Sequence, residues 1–465
     1  MSWIWVAIVA YMLLQLGIGV WASRRVAGET DYLVAGRRLG LSLVSISVFA
    51  TWFGAETVMG SAAAIADEGL SGGRADPFGY MLCLVAMGLL LAFQMRQRGY
   101  VTLADFFRDR YGRSAEVLAV LLLVPASIIW ASAQLLAFGQ ILVVATDIDL
   151  DAALLAAAAL VIVYTVLGGL LGDVITDVVQ GGVLVIGLVV LLVMVFAHAG
   201  GVAEGLGRIE ASQLRFVAEG EPFLSRFDAW MIPIVGSLVS QEAISRFLAA
   251  RDAPTARNAC FAAAGIYLVV GMIPVTLALV GTHMDLGIGH RDEFLPELAK
   301  TLLPPVLFVI FIGALMSAIL STVDSTVLAA SSLITHNLIA PLRPAMGERG
   351  RLLAARITVV CAGVAAYLVA AGGDNIFGLV RLASSFGTAG ISVAVVFGLW
   401  TTLGGRTTEL ITLVIGALAL PFSETVLEAD APYMLSVGAA LATYLLLSLF
   451  DRPAAVSGTS PAGRS

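Results

Sequence analysis

Long apolar stretches, separated by short polar or Gly/Pro-rich breaks, run along almost the whole chain. Several of them, such as residues 178–199, reach the length of about 20 residues that a helix needs to cross a hydrocarbon core. The pattern predicts helices over residues 3–22, 41–66, 77–97, 114–145, 151–171, 173–199, 227–248, 258–282, 302–340, 353–371, 376–402, 409–427 and 431–450. We therefore expect an all-α membrane protein with about 13 transmembrane helices.

Composition and charge agree with this prediction. Of the 465 residues, 59% are hydrophobic and 13% are charged, and the mean hydropathy is +0.95. With the N-terminus outside, the inner loops and tail hold 19 basic residues and the outer loops hold six, while Arg381 falls within a span. Basic residues in short loops stay on the cytoplasmic side. We therefore expect an integral protein of the cytoplasmic or plasma membrane, with its C-terminus inside and residues 453–465 forming a disordered cytoplasmic tail.

The sequence carries no sign of enzymatic chemistry. Its one lysine, Lys300, stands in a predicted outer loop without a Gly-rich phosphate-binding context, which argues against a built-in ATPase. The three cysteines and four histidines are widely spaced, so neither a disulfide framework nor a metal cluster is indicated. We expect no enzyme, no organic cofactor and no nucleic-acid partner, but a monomer surrounded by lipid.

The first polar interruption of a span lies in the helix predicted over residues 41–66. Thr51, Gly54 and Glu56 occur near its middle. Small residues there would allow the helix to unwind and expose carbonyl oxygens that bind a cation. Alternatively, the helix is continuous and uses Gly54 and Gly60 for close packing against a neighbour.

The second interruption contains two aspartates. Asp173 and Asp177 are four residues apart, so both point the same way if the segment is helical. Two like charges on one face in a low dielectric repel strongly, so either a cation lies between them or one is protonated or exposed. For Asp173, solvation in a cytoplasmic turn is the alternative to a functional role.

The third polar region is a stripe on the helix predicted over residues 302–340. Ser317, Ser321, Asp324 and Ser325 recur at the spacing of one helix face. Hydroxyl and carboxylate oxygens are hard ligands that suit Na⁺. The serines could instead bond to their own helix or join neighbouring helices, but that interpretation leaves Asp324 unexplained.

A second interrupted helix suggests internal symmetry. The span 227–248 carries Pro233, Gly236 and Ser237, so helices 2–6 and 7–11 form two groups of five that each begin with a broken member. Because five is odd, the two groups have opposite orientation, as in the inverted repeats of secondary transporters. We expect one transmembrane transporter domain over residues 1–452, with repeats at about 41–199 and 227–402.

Several of these segments together resemble one family. Asp31-Tyr-Leu-Val-Ala-Gly-Arg37, Gly168-Gly-Leu with Thr176-Asp177 and Gln180, and Ser321-Thr322-x-Asp324-Ser325 are similar to motifs of the sodium:solute symporter family, which includes proline, sugar, sialic acid, pantothenate and choline carriers. The resemblance covers nearly the whole chain. It implies a LeuT-type fold of five plus five core helices with accessory helices, and sodium-coupled uptake of a small polar organic solute by alternating access.

The resemblance also implies positions for the coupling ion. The family's principal sodium site maps onto Ala50, Phe53, Ala318, Ser321 and Thr322. A possible second cation site maps onto Asp177, Asp324 and Ser325, with Ser321 and Thr322 nearby. Asp324 replaces a hydroxyl found in several members, which leaves open whether a second ion is Na⁺, H⁺ or absent.

The solute is expected beside the two broken helices. Candidate lining residues are Trp52, Glu56, Tyr80, Trp130, Gln134, Ser240 and Gln241. Trp52 and Trp130 match tryptophans of the choline carriers, and aromatic faces attract ammonium groups, although Ser240 replaces an aromatic residue of those carriers. A cationic amine is therefore the preferred solute, and the alternatives are a proton-coupled symporter, a passive channel or a membrane sensor that transports nothing.

Overall fold

The computed structural model of the protein describes residues 29–146, 148–284, 294–373 and 375–451, together with residues 10, 13, 17 and 21. Apart from those four residues, the predicted first span, 3–22, lies outside the described part, and so does the predicted tail at 453–465. The described chain consists of helices and loops, with one isolated bridge between Leu39 and Ala250. The fold is therefore all-α.

Fifteen helical segments carry the architecture of the described part. They are α1 (Leu41–Trp52), α2 (Glu56–Ser71), α3 (Arg74–Arg98), α4 (Arg113–Thr146), α5 (Leu150–Leu167), α6 (Gly169–Ala199), α7 (Phe223–Met231), α8 (Gln241–Leu248), α9 (Ala253–Gly281), α10 (Pro305–Leu342), α11 (Glu348–Ala371), α12 (Ile376–Ser385), α13 (Thr388–Trp400), α14 (Arg406–Thr425) and α15 (Pro432–Ser448). Short helices at Leu103–Tyr111 and Phe294–Leu302 lie in the connections.

Length and hydropathy identify fewer membrane-crossing helices among the described residues than the 13 that the sequence predicted for the whole chain. Within the described residues, eight helices are long and apolar enough to cross a membrane, or ten if each bent pair counts as one span. The predicted span 227–248 is divided among several short helices, and the last helix, α15, has 17 residues. The count of 13 is therefore not confirmed, although most predicted spans have a helical counterpart.

Breaks in the helices fall mostly where small and polar residues predicted them. The pair α1 and α2 bends by 55° at Phe53 and Gly54, and the chain before α8 is extended at Ser240. A third break, of 43°, separates α12 from α13 at Phe386 and Gly387. Hydropathy did not predict this third break, because the segment is apolar on both sides and Gly387, with a φ of +68°, is its local signal.

The centre of the bundle is formed by α4, α6 and α10. A side chain at Gly187 of α6 would come within 2.6 Å of Ala314 on α10, so these two helices pack backbone against backbone. The polar stripe of α10 is completely enclosed there. In contrast, α14 and α15 expose large apolar residues, such as Leu418 and Leu446, on their outer faces. Such faces suit contact with lipid.

Candidate sodium and solute sites

The break between α1 and α2 leaves backbone groups without helical partners inside the protein. The last helical hydrogen bond of α1 runs from the Phe53 N–H to the Phe49 carbonyl, and Phe53 then leaves helical geometry at φ −82° and ψ 63°. Phe53 and Gly54 are buried. A broken helix at this depth exposes carbonyl oxygens toward a cavity or a ligand.

The polar stripe of α10 lies against this break. The Ser321 hydroxyl oxygen is 3.2 Å from the Ala50 carbonyl oxygen, and the Thr322 hydroxyl donates to the Ala318 carbonyl at 3.2 Å. A side chain at Gly54 would approach the Thr322 hydroxyl oxygen to 2.5 Å. The structure thus brings the two stretches of chain assigned to the principal sodium site into direct contact.

Asp177 extends this group of oxygens. Its carboxylate accepts hydrogen bonds from Ser47 of α1 and from Ser321 of α10, and all three side chains are buried. The Ser321 hydroxyl has one hydrogen, so it cannot donate to Asp177 and to Ala50 at the same time. When Asp177 is ionised, one contact between oxygen atoms therefore lacks a hydrogen, an arrangement that a cation stabilises.

Asp173 is buried, which corrects the interpretation that it is solvated in a cytoplasmic turn. It lies within α6, because the chain between α5 and α6 breaks earlier, at Gly169. Its carboxylate pairs with the Arg246 guanidinium, which also contacts Ser325 and lies 3.8 Å from Asp177. The cation between the two aspartates is thus an arginine of α8, reached only through the tertiary fold.

The group assigned to a second cation is therefore shared with Arg246. Ser325 receives a hydrogen bond from Arg246, and its backbone N–H donates to Asp324 at 2.9 Å. The other Asp324 oxygen is buried without a hydrogen-bond partner. Three carboxylates, Asp173, Asp177 and Asp324, thus surround one guanidinium group, and the cluster is anionic when all are ionised.

Three of the predicted solute-lining residues form an aromatic cluster beside the break. The ring centroids of Trp52 and Trp130 are 6.4 Å apart with nearly parallel planes, and Tyr80 lies 5.5 Å from Trp52 and 5.9 Å from Trp130. The Trp130 indole N–H is buried without a hydrogen-bond partner. We refer to Trp52, Tyr80 and Trp130 as the aromatic cluster.

Carboxylates adjoin the aromatic cluster, and two of them were missed in the sequence. Glu56 accepts a hydrogen bond from Gln134 at 2.6 Å, so these two predicted solute-lining residues are in direct contact. The Trp52 indole donates to Glu242 at 3.4 Å. The Tyr267 hydroxyl donates to Asp76 at 3.0 Å, and the ring centroids of Tyr267 and Tyr80 are 6.5 Å apart. The available signal for Asp76 was its position directly before the apolar stretch that begins at Pro77, and the signal for Glu242 was its position beside Gln241.

Ser240 and Gln241 line a different cavity from the large one that Tyr80 lines. Together with Trp130 they line a small separate cavity of about 20 Å³, which has room for about one water molecule. The Gln241 amide is engaged, because its oxygen accepts from the Leu103 N–H at 2.8 Å and its nitrogen donates to Ser245 at 2.9 Å. These two residues thus share a cavity with Trp130, and Ser240 also bonds to Glu242, which accepts from the Trp52 indole.

A large cavity leads to the aromatic cluster from one end of the protein. Its volume is about 1020 Å³, and Tyr80 belongs to its lining, next to residues from α2, α7 and α12. The charged side chains around it are Asp67, Glu68, Arg74, Glu221, Asp228, Arg381 and Asp430. Five carboxylates against two guanidinium groups give this entrance a negative potential, which attracts cations.

The opposite end is closed by a polar network. The Asn337 amide donates to Asp105 at 3.0 Å and to Glu116 at 2.8 Å, which ties Leu103–Tyr111 to α4 and α10. Burial raises the pKa of Asp105, but hydrogen bonds from His336 and Val101 and the charges of His336 and Arg108 outweigh it and hold the pKa at about 2. The carboxylate form therefore maintains this closure.

The chain is similar in sequence to known transporters. Residues 32–416 match the profile of the Sodium:solute symporter family. High-affinity choline transporter 1 of Torpedo marmorata is 31% identical over 409 residues, which are 82% of this chain and 69% of that protein. The protein of the same name from Caenorhabditis elegans is 29% identical over 406 residues, covering 80% of this chain and 69% of that protein.

The fold has a close counterpart among solved structures. A Na⁺-coupled sialic acid symporter, in a substrate-bound outward-open state, superimposes with a TM-score of 0.85 over 97% of this chain and 98% of that one, at 16% sequence identity. At this identity, the likeness concerns the fold. The LeuT-type fold expected from the sequence motifs is thereby confirmed.

Proposed function

The chain belongs to the sodium:solute symporter family, and we propose that the solute it carries with sodium is a small organic cation. Sodium-coupled solute symport by alternating access is the activity of the family. The solute class is the step that we add, and the relatives named as choline transporters favour it. We further propose that the N-terminus faces outward and that transport runs into the cell.

The observation that carries this proposal is the aromatic cluster with its neighbouring carboxylates. Cations bind to the faces of Trp and Tyr rings when they lie within about 6 Å of the ring centre. Here three such rings meet, and one of them, Tyr80, lines the large cavity. The Trp52 indole donates to Glu242, and Glu56 follows the break four residues after Trp52. An anionic solute would be repelled from this site, whereas a cation would gain from both kinds of group.

We propose that sodium binds to oxygens of Ala50, Phe53, Ala318, Ser321 and Thr322. The ion would join α1 to α10, and the same break in α1 presents Trp52 to the solute. Sodium binding would thereby stabilise the conformation of the break that the solute requires, which couples the two ligands. One Na⁺ moving through about 100 mV supplies about 2.3 kcal/mol for accumulation.

Reconstituted protein tests this proposal directly. Proteoliposomes with an inward sodium gradient should accumulate tetramethylammonium, choline or small protonated amines, and should not do so when K⁺ replaces Na⁺. Trp52→Leu should lower the affinity for these cations by about tenfold, since a desolvated cation–π contact contributes about 1–2 kcal/mol. Trp400→Leu is the matched control, because Trp400 is exposed on α13 and its indole contacts the Leu90 carbonyl.

The outcomes separate the candidate functions. Uptake of neutral or anionic solutes alone, with no competition by organic cations, would refute the proposed solute class. Equal uptake in Na⁺ and K⁺ would refute sodium coupling. Uptake that stops at equal internal and external concentrations would indicate a passive channel.

A further inference from the structure

Two buried carboxylates near the aromatic cluster each have one oxygen without a partner. These atoms are Oε1 of Glu56 and Oδ1 of Asp76, and the two residues are 2% and 1% exposed. Neither residue pairs with a Lys, Arg or His among the described residues, and the charges that act on Glu56 are those of Asp76 and Glu242. An enclosed carboxylate without a partner is costly, so each of these groups is either neutral or ionised beside a cationic ligand.

The other oxygen of each carboxylate is held firmly in place. Gln134 donates to Oε2 of Glu56 at 2.6 Å and also accepts from the Ala55 N–H at 2.8 Å. Thr57 and Tyr267 donate to Oδ2 of Asp76 at 2.5 and 3.0 Å. Each carboxyl group is thus oriented through one oxygen while the other remains available, an arrangement typical of a preorganised binding group.

Both carboxylates are connected to the break in α1. The Tyr267 hydroxyl that binds Asp76 also lies 3.1 Å from the Trp52 carbonyl oxygen, and Gln134 joins Glu56 to the first residues beyond the break. Glu242 differs from these two, because its carboxylate accepts from the Trp52 indole at 3.4 Å and bonds to Ser240 as well. Glu56 and Asp76 are thus the two carboxyl groups beside the break that keep an unpartnered oxygen.

The two unpartnered carboxyl oxygens, on Glu56 and Asp76, indicate the chemistry of a cation that would bind there. A quaternary ammonium group has no N–H, so it binds to aromatic faces but donates no hydrogen bond to a carboxylate. A protonated primary amine has three donors and binds carboxylate oxygens through charge-assisted hydrogen bonds. The two unpartnered oxygens, on two separate carboxyl groups, therefore match two such amino groups.

We infer that Glu56 and Asp76 are specificity-determining residues, each of which binds one ammonium group of a short, doubly protonated diamine. This inference rests on the proposed transport of organic cations and narrows the solute within that class. The hydrocarbon between the two amino groups would lie against the rings of the aromatic cluster. The diamine neutralises both carboxylates, which a single positive charge cannot do.

Binding to the purified protein in sodium buffer tests the inference. The probes are 1,4-diaminobutane, its monoamine counterpart butylamine, and tetramethylammonium. We expect the diamine to bind at least about tenfold more tightly than either monocation, since each added charge-assisted hydrogen bond contributes about 1.5–3 kcal/mol. Glu56→Gln and Asp76→Asn should each reduce diamine affinity by about tenfold or more while changing butylamine affinity much less.

A matched control is available elsewhere in the chain. Glu409 on α14 is also buried with unpartnered carboxylate oxygens, so Glu409→Gln removes an enclosed charge without touching the proposed solute. It should leave diamine affinity unchanged. Monocations that bind as tightly as the diamine to the unmodified protein would overturn the inference and leave the proposed function intact. If none of the three cations binds, the proposed function fails as well.

Discussion

The hydroxyl oxygen of Ser321 lies 3.2 Å from the carbonyl oxygen of Ala50, although the two residues are 271 positions apart in the chain. This contact joins the polar stripe of α10 to the broken end of α1. Asp177 of α6 bonds to the same hydroxyl. Three helices thus converge on one point where several oxygen atoms share a single hydroxyl hydrogen.

Ser321→Ala and Asp177→Asn should each weaken sodium binding. The first removes an oxygen from the proposed ion site, and the second removes the negative charge beside it. We expect the sodium concentration for half-maximal uptake to rise by about tenfold or more, which corresponds to about 1.4 kcal/mol. Ser331→Ala is the control, because Ser331 lies on α10 but bonds to the Ala355 carbonyl of α11. Unchanged sodium dependence in both site variants would contradict the assignment.

Gly54→Ala should abolish transport while the protein still folds. The added methyl carbon would lie 2.5 Å from the Thr322 hydroxyl oxygen and 2.6 Å from the Gln134 amide oxygen, so the break and α10 must separate. Gly60→Ala, in the same broken helix, has its nearest contact at 3.8 Å and should transport normally. Uptake and size-exclusion profiles of both variants measure this, and equal uptake would show that the close approach is not required.

Arg246→Met should destabilise the protein strongly. It would leave Asp173, Asp177 and Asp324 buried without their shared cation, a loss of about 3–5 kcal/mol for a broken buried ion pair. Adding Asp173→Asn removes one of the unpaired charges and should recover part of the stability. Arg251→Met, at a largely exposed site, is the control. Thermal unfolding in detergent measures Arg246→Met, Asp173→Asn, the double variant and the control, and additive effects of the two single site variants would contradict a shared cluster.

Acid should weaken the closed end of the protein through Asp105. Its pKa in the folded protein is about 2, below the ordinary value of 3.8, because hydrogen bonds from His336 and Val101 and the charges of His336 and Arg108 outweigh burial. A depressed pKa gives stability that is complete above about pH 4 and disappears as the pH falls toward 2, and the amount is about 2 kcal/mol.

Asp105→Asn should therefore be less stable than the unmodified protein at pH 6 and should show a flatter decline between pH 5 and 3. The unfolding midpoint at several pH values measures this difference. Asp109→Asn, which removes an exposed carboxylate from the same short helix, serves as the control. Parallel pH profiles for the Asp105 variant and the unmodified protein would show that Asp105 does not contribute in this way.

Periodicity and small residues were sufficient to predict the helices and two of the three main breaks. Gly54 and Ser240 stand at those breaks, since a chain surrounded by lipid must satisfy its backbone within helices unless small or polar residues mark an exception. The break at Gly387 and the division of the span 227–248 into short helices depend on packing against neighbours. Hydropathy does not record those contacts.

The candidate site residues also fall into those that the sequence predicted and those that it did not. Spacing along α10 and the family motifs led to Ser321, Thr322 and Asp177, because those residues lie within single helices. Asp76, Glu242 and the partner of Asp173 were not found as parts of a site, because each acquires its role from a residue on another helix.

The sequence by itself determined that this chain crosses the membrane as helices and which family's motifs it carries, because both follow from residue types at short spacing. Only the tertiary structure decided that Arg246 is the cation between Asp173 and Asp177, and that Glu56 and Asp76 stay unpaired beside the aromatic cluster. Coulomb energy depends on distance and burial, and both arise only when distant segments pack together.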